Sequence, residues 1–174
     1  MELQTALYPY HKDHAKSMGE FAGYMMPFYY EAGVLAEHKA VRESLGLFDV
    51  SHMGQIALKG DGVIDFIQRI TPSAFEKAAP TTAKYTVLTN EQGGIIDDLI
   101  ITKLADDHCF AVINAGCKEK DIEWIESQMP DDVRMIKHSD RALIALQGGW
   151  SERVLHEVLG VEADELPYMH MMNA

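Results

Sequence analysis

A glycine pair between two apolar runs is the feature that most constrains how this chain of 174 residues can fold. Gly93-Gly94 is a strong turn signal. Residues 84–89 before it are rich in β-branched and aromatic types, and residues 95–102 after it are more apolar still. Two such runs around a short glycine-containing turn predict a β-hairpin.

The second strand of this hairpin carries two adjacent carboxylates, Asp97 and Asp98. Burying a carboxylate costs free energy unless another group pairs with it. Because side chains alternate across a strand, Asp97 shares one face with Leu99, and Asp98 shares the other with Ile100. Both faces are mostly apolar, so the pattern does not decide which carboxylate is buried. The pair is either solvated or ion-paired, or it belongs to a site that needs negative charge away from water.

The rest of the chain alternates groups of strands with single helices. Helical spacing of apolar residues predicts helices over 33–45, 62–70, 119–129 and 150–159. Short apolar runs predict further strands over 47–50, 55–59, 109–114, 133–136 and 142–146. This order favours an α+β fold with largely antiparallel sheets and flanking helices over a doubly wound parallel sheet. The glycine-rich motifs of dinucleotide and P-loop sites do not occur.

Charge and composition narrow the possible partners. A net charge of -12 disfavours nucleic acid, since an acidic surface repels phosphates. We expect no membrane association, because no apolar run reaches spanning length and the N-terminus lacks a signal-peptide pattern. Cys109 and Cys117 are expected to be free thiols in a reducing compartment. Their spacing does not match a zinc motif, and we predict no metal site.

Several separate blocks of the chain stand out as motifs. They are Phe21-Ala22-Gly23-Tyr24-Met25-Met26-Pro27, Glu37-His38 with Ala40-Val41-Arg42, Gly46 to Gly54, Asn90 to Leu99, Asn114-Ala115 with Glu119-Lys120-Asp121, and Ala145-Leu146-Gln147-Gly148. Taken in this order, the blocks resemble the aminomethyltransferase (T-protein) family of the glycine cleavage system. Order and spacing agree over essentially the whole chain, although family members are considerably longer.

The resemblance implies an interleaved α+β architecture that binds folate, cut short before the family's C-terminal barrel. Residues 1–50 together with 131–174 would form a first, incomplete folate-binding subdomain. Residues 51–130 would form a second one. The implied location is the bacterial cytoplasm, or the mitochondrial matrix in a eukaryote.

The resemblance also implies a reaction and the residues that serve it. The family takes an aminomethyl group from the lipoylated H-protein, transfers the one-carbon unit to tetrahydrofolate and releases ammonia. Asp98 matches the family's catalytic carboxylate, which would hold a folate ring nitrogen and stabilise positive charge during transfer. Met53, Tyr85 and Asn114 match positions that would bind the cofactor. Met53 would pack on the pterin, Tyr85 would line the pocket, and Asn114 would bond the pterin edge.

Two other interpretations stay open. One is a folate-binding module without transfer chemistry, and the other is an N-terminal fragment that binds nothing. The adjacent carboxylates favour the transferase, whereas the shortness of the chain favours the fragment, because an incomplete pocket loses burial and affinity.

Overall fold

The computed structural model describes residues 2–173, and its elements alternate short strands with helices. The helices are α1 (Tyr8–His14), α2 (Val34–Glu43), α3 (Val63–Ile70), α4 (Lys118–Gln128) and α5 (Ser151–Leu159), with 3-10 turns at Ala115–Cys117 and Ala163–Glu165. The strands are β1 (Ser17–Phe21), β2 (Tyr24–Tyr29), β3 (Gly46–Asp49), β4 (Gly54–Lys59), β5 (Ala83–Thr89), β6 (Ile95–Ala105), β7 (His108–Ile113), β8 (Arg134–Lys137) and β9 (Ile144–Gln147).

All pairings between these strands are antiparallel. A five-stranded sheet has the order β5-β6-β7-β4-β8, and two two-stranded sheets pair β1 with β2 and β3 with β9. The predicted α+β fold is therefore confirmed. The predicted hairpin is also present as β5 and β6, with Gly93 at φ +77° in the turn, a backbone angle that glycine adopts without steric cost.

The structure divides into two compact units, each with contributions from two stretches of chain. The first holds residues 2–52 and 140–165, and the second holds residues 53–139 and 166–173. We predicted that all of 131–174 would accompany the first fifty residues. The structure instead places residues 131–139 in the second unit, because β8 pairs with β4. Residues 166–173 join them, because Met169 and Met171 form backbone hydrogen bonds with Ala83 and Thr81.

The core of the second unit lies between one face of the five-stranded sheet and the helices α3 and α4. Apolar residues four apart on α3, such as Val63 and Ile67, are fully buried. From the sheet, Leu99 and Ile101 of β6 face the same cluster. Strand alternation therefore places Asp97 at the helix-covered face and Asp98 at the second face of the sheet.

The sequence patterns did not predict the first three elements. α1 is short and carries polar side chains at most positions, so it has no apolar period to detect. The β1–β2 hairpin turns at Ala22 and Gly23, both with positive φ. Ala22 is not a standard turn signal, and the turn was therefore overlooked.

Candidate active site

Three of the four predicted site residues meet around one carboxylate at an end of the five-stranded sheet. Tyr85 lies beside Asp98 because Val87 of β5 pairs with Asp98 of β6, and residues 85 and 87 share a face. Asn114 directly follows β7, whose last residue, Ile113, pairs with Leu99. The sheet register thus places a phenol and an amide next to the Asp98 carboxylate.

The Asp98 carboxylate is held by two neutral donors. The Tyr85 hydroxyl donates to Oδ2 at 2.9 Å, and the Asn114 amide donates to Oδ1 at 3.3 Å and to the Asp98 backbone oxygen at 3.1 Å. Asp98 is half-buried, whereas Tyr85 is 65% exposed. Neutral donors orient a carboxylate without cancelling its charge, so Asp98 retains negative charge for an incoming group.

The pKa of Tyr85 is changed by the carboxylate beside it. The hydrogen bond to Asp98 and the negative charge of that carboxylate raise the pKa of the Tyr85 phenol above its ordinary value. A phenol that stays protonated remains a donor. It therefore continues to orient Asp98 throughout the neutral pH range.

Met53 lies at the same end of the sheet, immediately before β4. The first residue of that strand, Gly54, pairs with Ile113, next to Asn114. Met53 is half-buried. The second face of the sheet near it also contains Ile100, which is 40% exposed, and Thr102, which is buried. Apolar and aromatic groups beside a carboxylate suit a planar heterocycle that carries hydrogen-bonding nitrogens.

A second carboxylate pair lies at the helix-covered face of the same strand. Asp97 accepts a hydrogen bond from the Asn114 amide at 3.2 Å, and its carboxyl group lies beside that of Asp121 of α4. Burial alone would raise the pKa of Asp97, but the hydrogen bonds from Asp121 and Asn114 outweigh it and lower that pKa. The Asn114 side chain therefore links the two adjacent carboxylates of the strand.

Asp121 is the functional candidate that sequence reasoning missed. It is fully buried, and burial together with the hydrogen bond to Asp97 and that neighbour's charge raises its pKa to about 7. A signal for it was present: Asp121 lies four residues before Ile125, inside the apolar stripe of α4. An acidic residue at a core position of a helix requires a partner.

A cavity lies within the first unit, away from these residues. It has a volume of about 570 Å³ and is lined by residues of β2, α2 and β3, among them Met26, Tyr30 and Asp49, and by none of the four predicted site residues. Asp98 is half-buried on the second face of the five-stranded sheet.

Beside that cavity is a buried polar cluster that sequence reasoning also missed. The Asp49 side chain is 1% exposed and accepts hydrogen bonds from Thr5 at 2.7 Å and from the Ser51 backbone at 2.9 Å. His11 contacts it through Nε2 at 2.8 Å, and its Nδ1 lies 2.7 Å from the Tyr30 hydroxyl. These contacts attach α1 to the end of β2 and to β3. We call this hydrogen-bonded cluster of Thr5, His11, Tyr30 and Asp49 the structural clamp.

The family follows from comparison with known proteins. A family model described as the GCVT N-terminal domain matches residues 7–174, and the chain belongs to this family. This confirms the resemblance drawn from the sequence blocks.

Individual relatives agree with that assignment. The chain is similar to the aminomethyltransferase of Chloroherpeton thalassium, with 41% identity over 97% of this chain and 47% of that protein. It is also similar to the mitochondrial aminomethyltransferase of Mesembryanthemum crystallinum, with 41% identity over 89% of this chain and 40% of that protein. The chain therefore spans about half the length of the relatives it matches.

A solved structure shows the same fold. The glycine cleavage system aminomethyltransferase T from Bartonella henselae superposes with a TM-score of 0.91 at 35% identity, over 98% of this chain and 47% of that one. Among residues 2–173, no helix is long and apolar enough to span a membrane.

Proposed function

We propose that this chain is the folate-binding portion of an aminomethyltransferase of glycine cleavage. Its substrates would be tetrahydrofolate and the aminomethyl group carried by the lipoylated H-protein. The observation that supports this most strongly is the convergence of Asp98, Tyr85 and Asn114 at one end of the five-stranded sheet in a member of the GCVT N-terminal domain family.

In the proposed reaction, the carbon–sulfur and carbon–nitrogen bonds of the aminomethyl group break and two carbon–nitrogen bonds to tetrahydrofolate form. The two protons lost by the folate nitrogens go to the thiol and to the departing ammonia. Asp98 would accept a hydrogen bond from a folate nitrogen and stabilise the positive charge that develops there as it attacks the carbon. Asn114 and Tyr85 would keep the carboxylate oriented, and Met53 would pack against the ring.

The first test is calorimetric titration of tetrahydrofolate into the 174-residue chain. We expect saturable binding that Asp98→Asn weakens about tenfold or more, because a charged hydrogen bond is worth more than a neutral one. Glu43→Gln is a matched control, since Glu43 is an exposed carboxylate that pairs with Lys39 on the surface of α2. The proposal fails if the wild-type chain takes up no folate, or if both variants bind as the wild type does.

The second test separates transfer from binding. With aminomethyl-loaded H-protein as the one-carbon donor, the wild-type chain should form methylenetetrahydrofolate, and Asp98→Asn should not. Folate binding without any transfer would favour the alternative that the chain is a binding module. That alternative competes with the transferase because the chain spans only about half the length of its relatives.

A further inference from the structure

The side chain of Asp121 is buried without a conventional donor. It is 0% exposed, and neither of its carboxyl oxygens receives a hydrogen bond from an N–H or from a hydroxyl anywhere in residues 2–173. A carboxylate in that position would be desolvated and uncompensated, which is among the most costly arrangements in a protein interior. Its charge state therefore requires an explanation.

The neighbour of Asp121 supplies one. Its carboxyl group lies beside that of Asp97 on β6, within reach of a hydrogen bond. Two carboxyl groups share a hydrogen bond only when one of them carries a proton, because two carboxylates have no donor between them. Asp97 also accepts a hydrogen bond from the Asn114 amide and is half-buried, whereas Asp121 is fully buried. The group with fewer donors and less solvent holds the proton.

The charged groups around the pair lead to the same assignment. Asp97 and Asp98 on β6 both disfavour a negative charge on Asp121. Lys120 on α4 acts in the opposite sense, with an effect smaller than that of Asp97 but larger than that of Asp98, and its ammonium donates to the Ile96 backbone oxygen at 2.9 Å and to the Cys117 sulfur at 3.5 Å. Two negative neighbours against one engaged cation favour a neutral Asp121.

The side-chain amide of Asn114 connects the Asp97–Asp121 pair to Asp98 in the proposed active site. Asn114 donates to Asp97 at 3.2 Å and to Asp98 at 3.3 Å from the same nitrogen. A negative charge on Asp97 fixes which end of the amide faces the two carboxylates, because only the nitrogen donates. That orientation is what aims the amide at Asp98.

We propose that Asp121 is a neutral carboxylic acid that donates its proton to Asp97, and that this bond positions the Asn114 amide and through it Asp98. Asp121 is then a positioning residue that touches no substrate. Its protonation is a property of the fold, whereas its effect on folate binding rests on the function proposed above.

The proton is tested by infrared spectroscopy of the chain labelled with ¹³C at the aspartate carboxyl groups. At about pH 6 the wild-type chain should show the C=O band of a protonated carboxyl, although ordinary aspartates are ionised there. The band should be absent from Asp121→Asn. In Asp97→Asn the band should disappear at lower pH, because the negative neighbour is gone. Absence of the band from the wild-type chain overturns the proposal.

The positioning role is tested by tetrahydrofolate titration of two variants. Asp121→Asn keeps a donor for Asp97 and should bind within about threefold of the wild type, whereas Asp121→Leu removes the donor and should lose about tenfold or more. Equal losses in both folded variants overturn the positioning role. If Asp121→Leu does not fold, Asp121→Asn decides by itself, and a loss of tenfold or more in its affinity for tetrahydrofolate overturns the positioning role. If the wild-type chain binds no folate, the proposed function fails, and the infrared band still decides the proton.

Discussion

The phenol of Tyr85 donates a hydrogen bond to Oδ2 of Asp98 across 2.9 Å, on the face of the five-stranded sheet away from helices α3 and α4. Strand register creates this contact, since Tyr85 and Asp98 are 13 residues apart in the chain. The contact couples the titration of the phenol to the charge of the carboxylate.

We predict that Asp98→Asn lowers the pKa of Tyr85 toward its ordinary value. The Asp98 carboxylate raises that pKa by its hydrogen bond and its charge, and an amide retains only a weak acceptor. The measurement is an NMR titration of the Tyr85 ring. Asp107→Asn, an exposed change at another loop of the same unit, is the control. An unchanged Tyr85 titration in Asp98→Asn would show that the hydrogen bond does not persist in solution.

The buried Asp121 predicts a pH dependence of stability. Its pKa is about 7 in the folded chain, against an ordinary value of 3.8, so the folded state holds this proton more tightly than the unfolded state. The free energy of unfolding should therefore fall as pH rises from about 4 to about 7, by at most about 4 kcal/mol from this group. Urea unfolding at several pH values measures it.

The matched variant for that measurement is Asp121→Asn, which cannot titrate but retains a donor to Asp97. Its free energy of unfolding should lose this part of the pH dependence, while contributions from other groups remain. If the free energy of unfolding of Asp121→Asn changes with pH in parallel with that of the wild type, the pH dependence comes from other carboxylates.

The clamp around Asp49 predicts a large effect on the first unit. Asp49→Ala leaves the buried donors of Thr5 and His11 and the partly buried backbone N–H of Ser51 without their acceptor, and it should cost about 2–4 kcal/mol. Hydrogen exchange of the amides in α1 and β2 reports the loss. The exposed pair of Lys16 and Glu31 is the control, since Glu31→Gln should change stability by less than about 0.5 kcal/mol.

Asp49 also has a predictable dependence on acid. Burial alone would raise its pKa, but hydrogen bonds from Ser51, His11 and Thr5 lower it below 3.8. The contribution of Asp49 to stability is therefore complete above the unfolded pKa and is lost as pH falls through the lower folded value. The protection of α1 in the wild type should therefore approach that of Asp49→Ala as the pH falls, and a difference between the two that stays as large in acid as at neutral pH would contradict this.

Two neighbouring glycines provide a test of backbone packing. Gly148 has φ +125°, and a Cβ there would lie 2.5 Å from the Ser44 oxygen and 2.7 Å from the Leu45 Cα. Gly148→Ala should therefore cost about 2 kcal/mol or more, because backbone atoms would have to move. A Cβ at Gly149 meets nothing within 4 Å, so Gly149→Ala should stay within about 0.5 kcal/mol. Thermal unfolding of both variants compares them, and equal losses would contradict the close approach.

Prediction from sequence worked where a pattern is local. Gly93-Gly94 and the apolar runs around it predicted the β5–β6 hairpin, because turn conformation and strand preference are decided within a few residues. The α1 helix was missed because its neighbours in space, Tyr30 and Asp49, stabilise it through His11. Such contacts have no period along the chain.

The candidate site was predicted only in part, for the same reason. Asp98, Tyr85 and Asn114 were predicted from the resemblance to the family, and the structure brings these three together. Asp121 lies within one of the matching blocks, and its position in the apolar stripe of α4 indicates that it needs a partner, but nothing in its local sequence identifies Asp97 as that partner. The assignment of a catalytic role to Asp98, and of folate contacts to the others, stays a prediction until the titrations are done.

The sequence by itself determined the alternation of strands and helices, the hairpin turn and the presence of two adjacent carboxylates on one apolar strand, because each depends on residues close along the chain. Only the tertiary structure decided which face each carboxylate occupies. Helices α3 and α4 cover one side of the sheet. Asp97 therefore meets a buried acid on α4, while Asp98 faces a phenol and remains open to a ligand.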